Sequence, residues 1–207
     1  MREPPRLPPR QRPYDEAFRI GIERLRQRSA EDVARLGARY EEGIIRLPVL
    51  NVEFHVNPQA AEILLADGAA VGVWWSVLSV HYLLAEPSGR PDDRLVGFPD
   101  LTEARTYNDP YKGRALRRLE ATVGRERESL ERAALALGGE PADFGDASYR
   151  FQVFPLVPVW LVWHEGDDEF PPACTLLYKE NILDYMSVED VVVTAERLAG
   201  RLGGKPW

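Results

Sequence analysis

From Trp160 to Pro172 the chain reads W-L-V-W-H-E-G-D-D-E-F-P-P. No other stretch constrains the fold as strongly. Its first half, apolar and aromatic, suits a buried strand; Gly166 among acids is turn chemistry. A similar apolar run occupies residues 148–154 and another residues 174–178. Pro155 and the acidic turn separate the three, which predicts an antiparallel meander over 148–154, 157–164 and 174–178.

The helical pattern elsewhere is equally readable. Residues 71–85 carry Trp74, Trp75, Val77, Leu78, Tyr82, Leu83 and Leu84 and are apolar nearly all round, so this segment belongs at the centre of the core. The best-marked helix spans 188–202, with Ser187 as N-cap, Asp190 completing a capping box, and Gly203-Gly204 as the stop. Residues 14–28 read as an amphipathic helix with Phe18, Ile22 and Leu25 on one face. A second helix capped by Ser29 is predicted to run to Gly43 with Val33, Leu36 and Tyr40 inward. Strands are expected at 44–50 and 52–56, the first short or at an edge because of Pro48. Residues 87–97 read as loop, and Asp109-Pro110 as N-cap and first position of a helix that Gly124 interrupts. The expected fold is one α+β domain over 14–204, a mainly antiparallel sheet of about 4–5 strands packed by helices. The proline-rich residues 1–13 precede it as an extended arm.

Composition narrows the partners. With 207 residues, 44% of them hydrophobic, the chain can build a sizeable core, and its net charge of −7 argues against a nucleic-acid surface or an anionic membrane. Residues 69–85 are interrupted by Ser76, Ser79 and His81 and read as a core helix, not a span. Cys174 is the one cysteine, which excludes a disulfide framework within the chain. With no secretory apolar segment at the start, the expected compartment is the cytoplasm. Residues 1–40 hold ten arginines against six acids, whereas 164–196 hold nine acids against Lys179. That asymmetry would suit a homodimer in which the basic front meets the acidic back.

The acidic turn is the first place to look for chemistry. Four carboxylates in five residues, Glu165, Asp167, Asp168 and Glu169, repel unless water, a cation or a basic partner offsets them. Asp167 and Glu169 with His164 form a ligand set for a divalent cation, the one cofactor this sequence invites. Trp163 and Phe170 flank them and extend the set of candidate binding residues. The plainer alternative is a solvated hairpin tip. His81 lies seven residues after Trp74 and four after Val77, hence on one helix face with both, and reads as a hydrogen-bonded packing residue. His55 alternates outward from a strand. Trp74, Trp75, Trp160 and Trp163 are candidates for an aromatic wall, although Trp160 and Trp163 face opposite ways along a strand. Phosphate-loop, dinucleotide, nucleophile-elbow and H-E-x-x-H motifs are all missing from the sequence.

The pattern W-x-x-G-D-x-E-F-P from Trp163 to Pro171, with H-Y-L-L at residues 81–84 and Y-M-S-V-E-D at 185–190, resembles an uncharacterised bacterial and archaeal domain family. The resemblance covers about residues 14–204. It implies relatives fused to a four-cysteine iron–sulfur module, and hence a redox or corrinoid context in anaerobes; Cys174 alone cannot supply that module's ligands. Two functions follow as expectations. The first is a non-catalytic accessory protein that binds a partner or small molecule through the 165–169 turn. The second is a metal-dependent, hydrolase-like enzyme using the 164–169 cluster.

Overall fold

The computed structural model describes residues 12–89 and 93–207. Helices α1 (Arg12–Leu25) and α2 (Ala30–Arg35) open the described chain, followed by β1 (Arg39–Glu41), β2 (Ile44–Val49), β3 (Val52–Asn57) and β4 (Glu62–Leu65). These four strands form one antiparallel sheet in sequence order. Helix α3 (Val73–Leu83) then crosses to the second half. There, β5 (Leu95–Gly97), β6 (Glu140–Pro141), β7 (Ala147–Phe154), β8 (Val157–His164) and β9 (Ala173–Lys179) make a second sheet, ordered β5-β9-β8-β7-β6. Between β5 and β6 lie α4 (Asn108–Tyr111), a π-turn (Lys112–Leu116), α5 (Arg117–Ala121) and α6 (Arg127–Ala136). Helix α7 (Val188–Leu202) closes the fold. The antiparallel strands read from the sequence are thus real, and they divide between two sheets in one α+β domain. No helix among the described residues is long and apolar enough to cross a membrane.

Both sheets lean on α3. Eight of its eleven residues are buried, as an all-round apolar helix requires. Trp75 packs edge-on to Phe54 of the first sheet, 6.3 Å between centroids, and to Phe154 of the second, 6.4 Å. Tyr82 stacks on Phe154 at 4.7 Å. Its buried hydroxyl donates to the Leu36 carbonyl at 2.6 Å and accepts from the Leu156 amide at 3.1 Å, so no polar group is left stranded. The polar interruptions of α3 solve themselves in two of three cases. Ser79 donates to Trp75 O at 2.8 Å, and Ser76 to the carbonyls of Val71 and Gly72. Only His81 must look outside its own helix. Gly21 lets α1 lie close on α3, because a Cβ there would come within 2.4 Å of Val80 Cγ1.

Several boundaries differ from expectation, each for a local reason. Helix α1 begins at Arg12, so the last two residues of the expected arm are helical; residues 1–11 lie outside the described residues. Helix α2 ends at Arg35, and Tyr40 falls on β1 with its side chain exposed. Pro48 sits on an inner strand, yet β1 pairs only with Ile44–Arg46, so the missing amide costs no ladder bond on that side. Asp109 does not cap α4; Tyr107 precedes the helix with no side-chain cap, the chain arriving through a 3-10 turn (Ala104–Tyr107). The expected loop at 87–97 ends in the short strand β5. The capping boxes at Ser29–Asp32 and Ser187–Asp190 form as read.

Candidate functional site

The acidic turn folds as a self-contained backbone device. His164 ends β8, exposed, with its Nδ1 4.0 Å from Asp146 Oδ2, the same oxygen that accepts from the Glu165 amide at 2.8 Å. The chain then doubles back so closely that a Cβ on Gly166 would fall 2.6 Å from both Phe170 O and Pro172 N, which leaves room for glycine alone. The Asp167 amide donates to Phe170 O at 2.8 Å. Its Oδ1 accepts from the Glu169 and Phe170 amides, each at 2.8 Å. Those donors, Glu169 first and then Phe170, hold the Asp167 carboxyl below the usual aspartate value.

Of the residues singled out by sequence, Trp163, Glu165, Asp167 and Phe170 line one open hollow of about 430 Å³ beside Arg125 and Arg127, but the metal-ligand set is not brought together. Asp167 spends one oxygen on its own turn, His164 faces Asp146, and Asp168 and Glu169 stand exposed. Among the described residues no three His, Cys, Asp or Glu side chains are grouped to hold a metal ion, so the proposed His164–Asp167–Glu169 ligand set does not converge. Mutual repulsion in open solvent favours that splaying. Trp163 belongs to the core, its Nε1 donating to Gly124 O at 2.8 Å. Phe170 is 67% exposed at the tip. The four tryptophans form no common wall: Trp75 and Trp163 are buried, Trp160 lies under the Arg150 guanidinium, and Trp74 lines a separate hollow.

That hollow, about 260 Å³, lies between α1, α3 and α7. Helix α3 presents Trp74, Val77, Leu78 and His81 to it, the i, i+3, i+4, i+7 face visible in the sequence. Helix α1 adds Tyr14 and Ala17, and α7 adds Val193 with the charged Glu189 and Asp190. The Tyr14 and Trp74 rings sit 3.9 Å apart at 50°, a tilted aromatic wall backed by the Arg197 guanidinium 5.5 Å from Trp74.

At the polar end His81 Nδ1 lies 2.9 Å from Asp190 Oδ1, a contact across 109 residues of chain. An ionised carboxylate only accepts, so Nδ1 carries the proton. The other oxygen, Oδ2, accepts from the Ser187 amide at 3.2 Å and hydroxyl at 2.8 Å. One carboxylate thus caps α7 with one oxygen and orients an imidazole with the other. The hydrogen bond to Asp190 raises the His81 pKa against the opposing effect of burial; Glu189 adds to the rise and Arg24 works against it. Burial pushes the Asp190 carboxyl up, but the His81 and Ser187 donors outweigh it and the net shift is down. With Nδ1 committed, Nε2 has no hydrogen-bond partner among the described residues. A fixed imidazole with one free nitrogen can donate to an anion, accept a proton or hold a ligand in register.

His81 was read from the sequence as a hydrogen-bonded packing residue and Asp190 as a cap. Both descriptions hold, and both missed that the two meet. The available signal was the histidine itself, which unlike Ser76 and Ser79 cannot bond back into its own helix.

The family model "Domain of unknown function (DUF3786)" matches residues 30–201, and the chain belongs to that family. No curated protein and no solved structure matches the chain.

Proposed function

We propose that this chain is a binding protein, not a catalyst, and that its ligand site is the His81–Asp190 hollow. The observation that carries the reading is an imidazole fixed through Nδ1 by a buried carboxylate, with Nε2 free, at the end of an apolar and aromatic cavity between three helices. Binding is favoured over turnover by how the neighbouring hydroxyl is used. Ser187 Oγ gives its proton to Asp190 Oδ2 and accepts from Asp190 N at 3.1 Å, so the helix cap consumes the nearest candidate nucleophile. A second reading, a protein contact at 165–170, is favoured by the 67% exposure of Phe170 on a turn its own backbone braces.

The experiment is a fragment screen followed by amide NMR. Hits should perturb Trp74, Val77, His81 and Val193, and should vanish in Ala17→Phe, which fills the hollow from α1 without touching the dyad. Perturbations clustered at 165–170, or hits that survive Ala17→Phe, would transfer the function to the turn.

A further inference from the structure

We infer that the hollow takes a small aromatic carboxylic acid, its ring against Tyr14, Trp74 and the aliphatic floor and its carboxylate on His81 Nε2. This rests on the hollow being the ligand site, and specifies the chemistry of what enters. At about 260 Å³ the space falls just below the ~300 Å³ at which drug-sized pockets begin, which suits a single ring with a short arm. Its walls, Val77, Leu78 and Val193 facing two tilted aromatic rings, offer apolar contact to a planar body.

The polar end selects the arm. Each Asp190 oxygen already accepts, Oδ1 from His81 and Oδ2 from Ser187, and the Ser187 hydroxyl both donates and accepts within the cap. Of the dyad and cap, the donor left over is the Nε2–H of an imidazole whose charged form Asp190 favours, and a charged donor is best matched by an anion. The charged and titratable groups around His81 are Asp190 and Glu189 of α7 and Arg24 and Tyr14 of α1. Glu189 is exposed and opposes an incoming carboxylate, whereas Arg24 favours it. The acid should therefore bind when His81 is protonated and leave as pH rises through its elevated pKa.

Three matched probes decide the class: phenylacetate, phenylacetamide and 2-phenylethylamine, each titrated by NMR at pH 6 and pH 9. Phenylacetate should bind most tightly at pH 6 and lose about tenfold or more by pH 9, the scale of one charge-assisted hydrogen bond. Phenylacetamide should show no such loss. His81→Gln should abolish the preference for acid over amide. Glu189→Gln, an exposed change that leaves the dyad intact, should tighten phenylacetate about twofold and weaken the amine. If the amide or the amine matches phenylacetate at pH 6 while still shifting Trp74 and His81, the acid assignment falls and the hollow stands. Failure of phenylacetate to bind also overturns the acid assignment, and the fragment screen then judges the hollow by itself. Phenylacetate shifts confined to residues outside the hollow overturn both.

Discussion

The acidic turn and the His81 hollow make opposite uses of charge. At the turn, four carboxylates crowd into five residues, yet no three of them are grouped in space, and Asp167 is occupied in bonding its own backbone. At the hollow a single carboxylate, brought from α7 to α3, bonds a helix cap and an imidazole at once. Density along the chain and convergence in space are different quantities. The first is set by local sequence and is easily met on a solvated tip. The second requires two helices packed in fixed register, and it is the second that builds a site.

The strongest way to break this contrast is by stability. Asp190→Ala removes a cap and strands a half-buried imidazole, and should cost on the order of 3 kcal/mol by chemical denaturation. Asp167→Asn with Glu169→Gln should stay within about 0.5 kcal/mol of the parent, since exposed groups contribute little. Equal effects at the two places would erase the distinction.

A smaller effect follows pH. The folded His81 pKa is raised, so its contribution to stability is fully present below the unfolded value of about 6.5 and is lost as pH climbs through the folded value. Asp190 is lowered, so its contribution is present above about 3.9 and fades as pH falls below that. The pair is strongest between those limits. Denaturation at pH 6 and pH 9 should show a loss in the parent that His81→Ala lacks, and NMR titration should place His81 above an ordinary imidazole.

The smallest effect belongs to cations. Millimolar Mg²⁺, Mn²⁺ or Ca²⁺ should leave the melting temperature flat, because the turn's oxygens do not converge. A rise that vanishes in the Asp167→Asn, Glu169→Gln variant would restore the turn as a metal site and revive the enzyme reading.

Much of the scaffold was legible in the sequence because its signals are local. The three meander strands announce themselves as apolar runs, Ser187 and Asp190 as a capping box, and Trp74, Val77 and His81 as one helical face. Strands β4 and β5, four and three residues long, carry no period of their own and exist through pairing with β3 and β9. The site was half legible. His81 was visibly anomalous on an apolar helix, but its partner lies 109 residues away, and no pattern in either segment encodes that meeting. The turn was half legible in the opposite sense, since its residues were conspicuous and their directions were not written anywhere.

The hydroxyl of Tyr82 has a consequence for how the molecule comes apart. One oxygen joins the carbonyl that ends α2 to the amide that opens the β7–β8 hairpin. The two hydrogen bonds share that atom, so neither half can open without exposing a polar group the other half was satisfying. The end of α2 and the β7–β8 hairpin are therefore tied through one side chain of α3, and amide exchange at Leu156 should report on the integrity of a region more than seventy residues earlier in the chain.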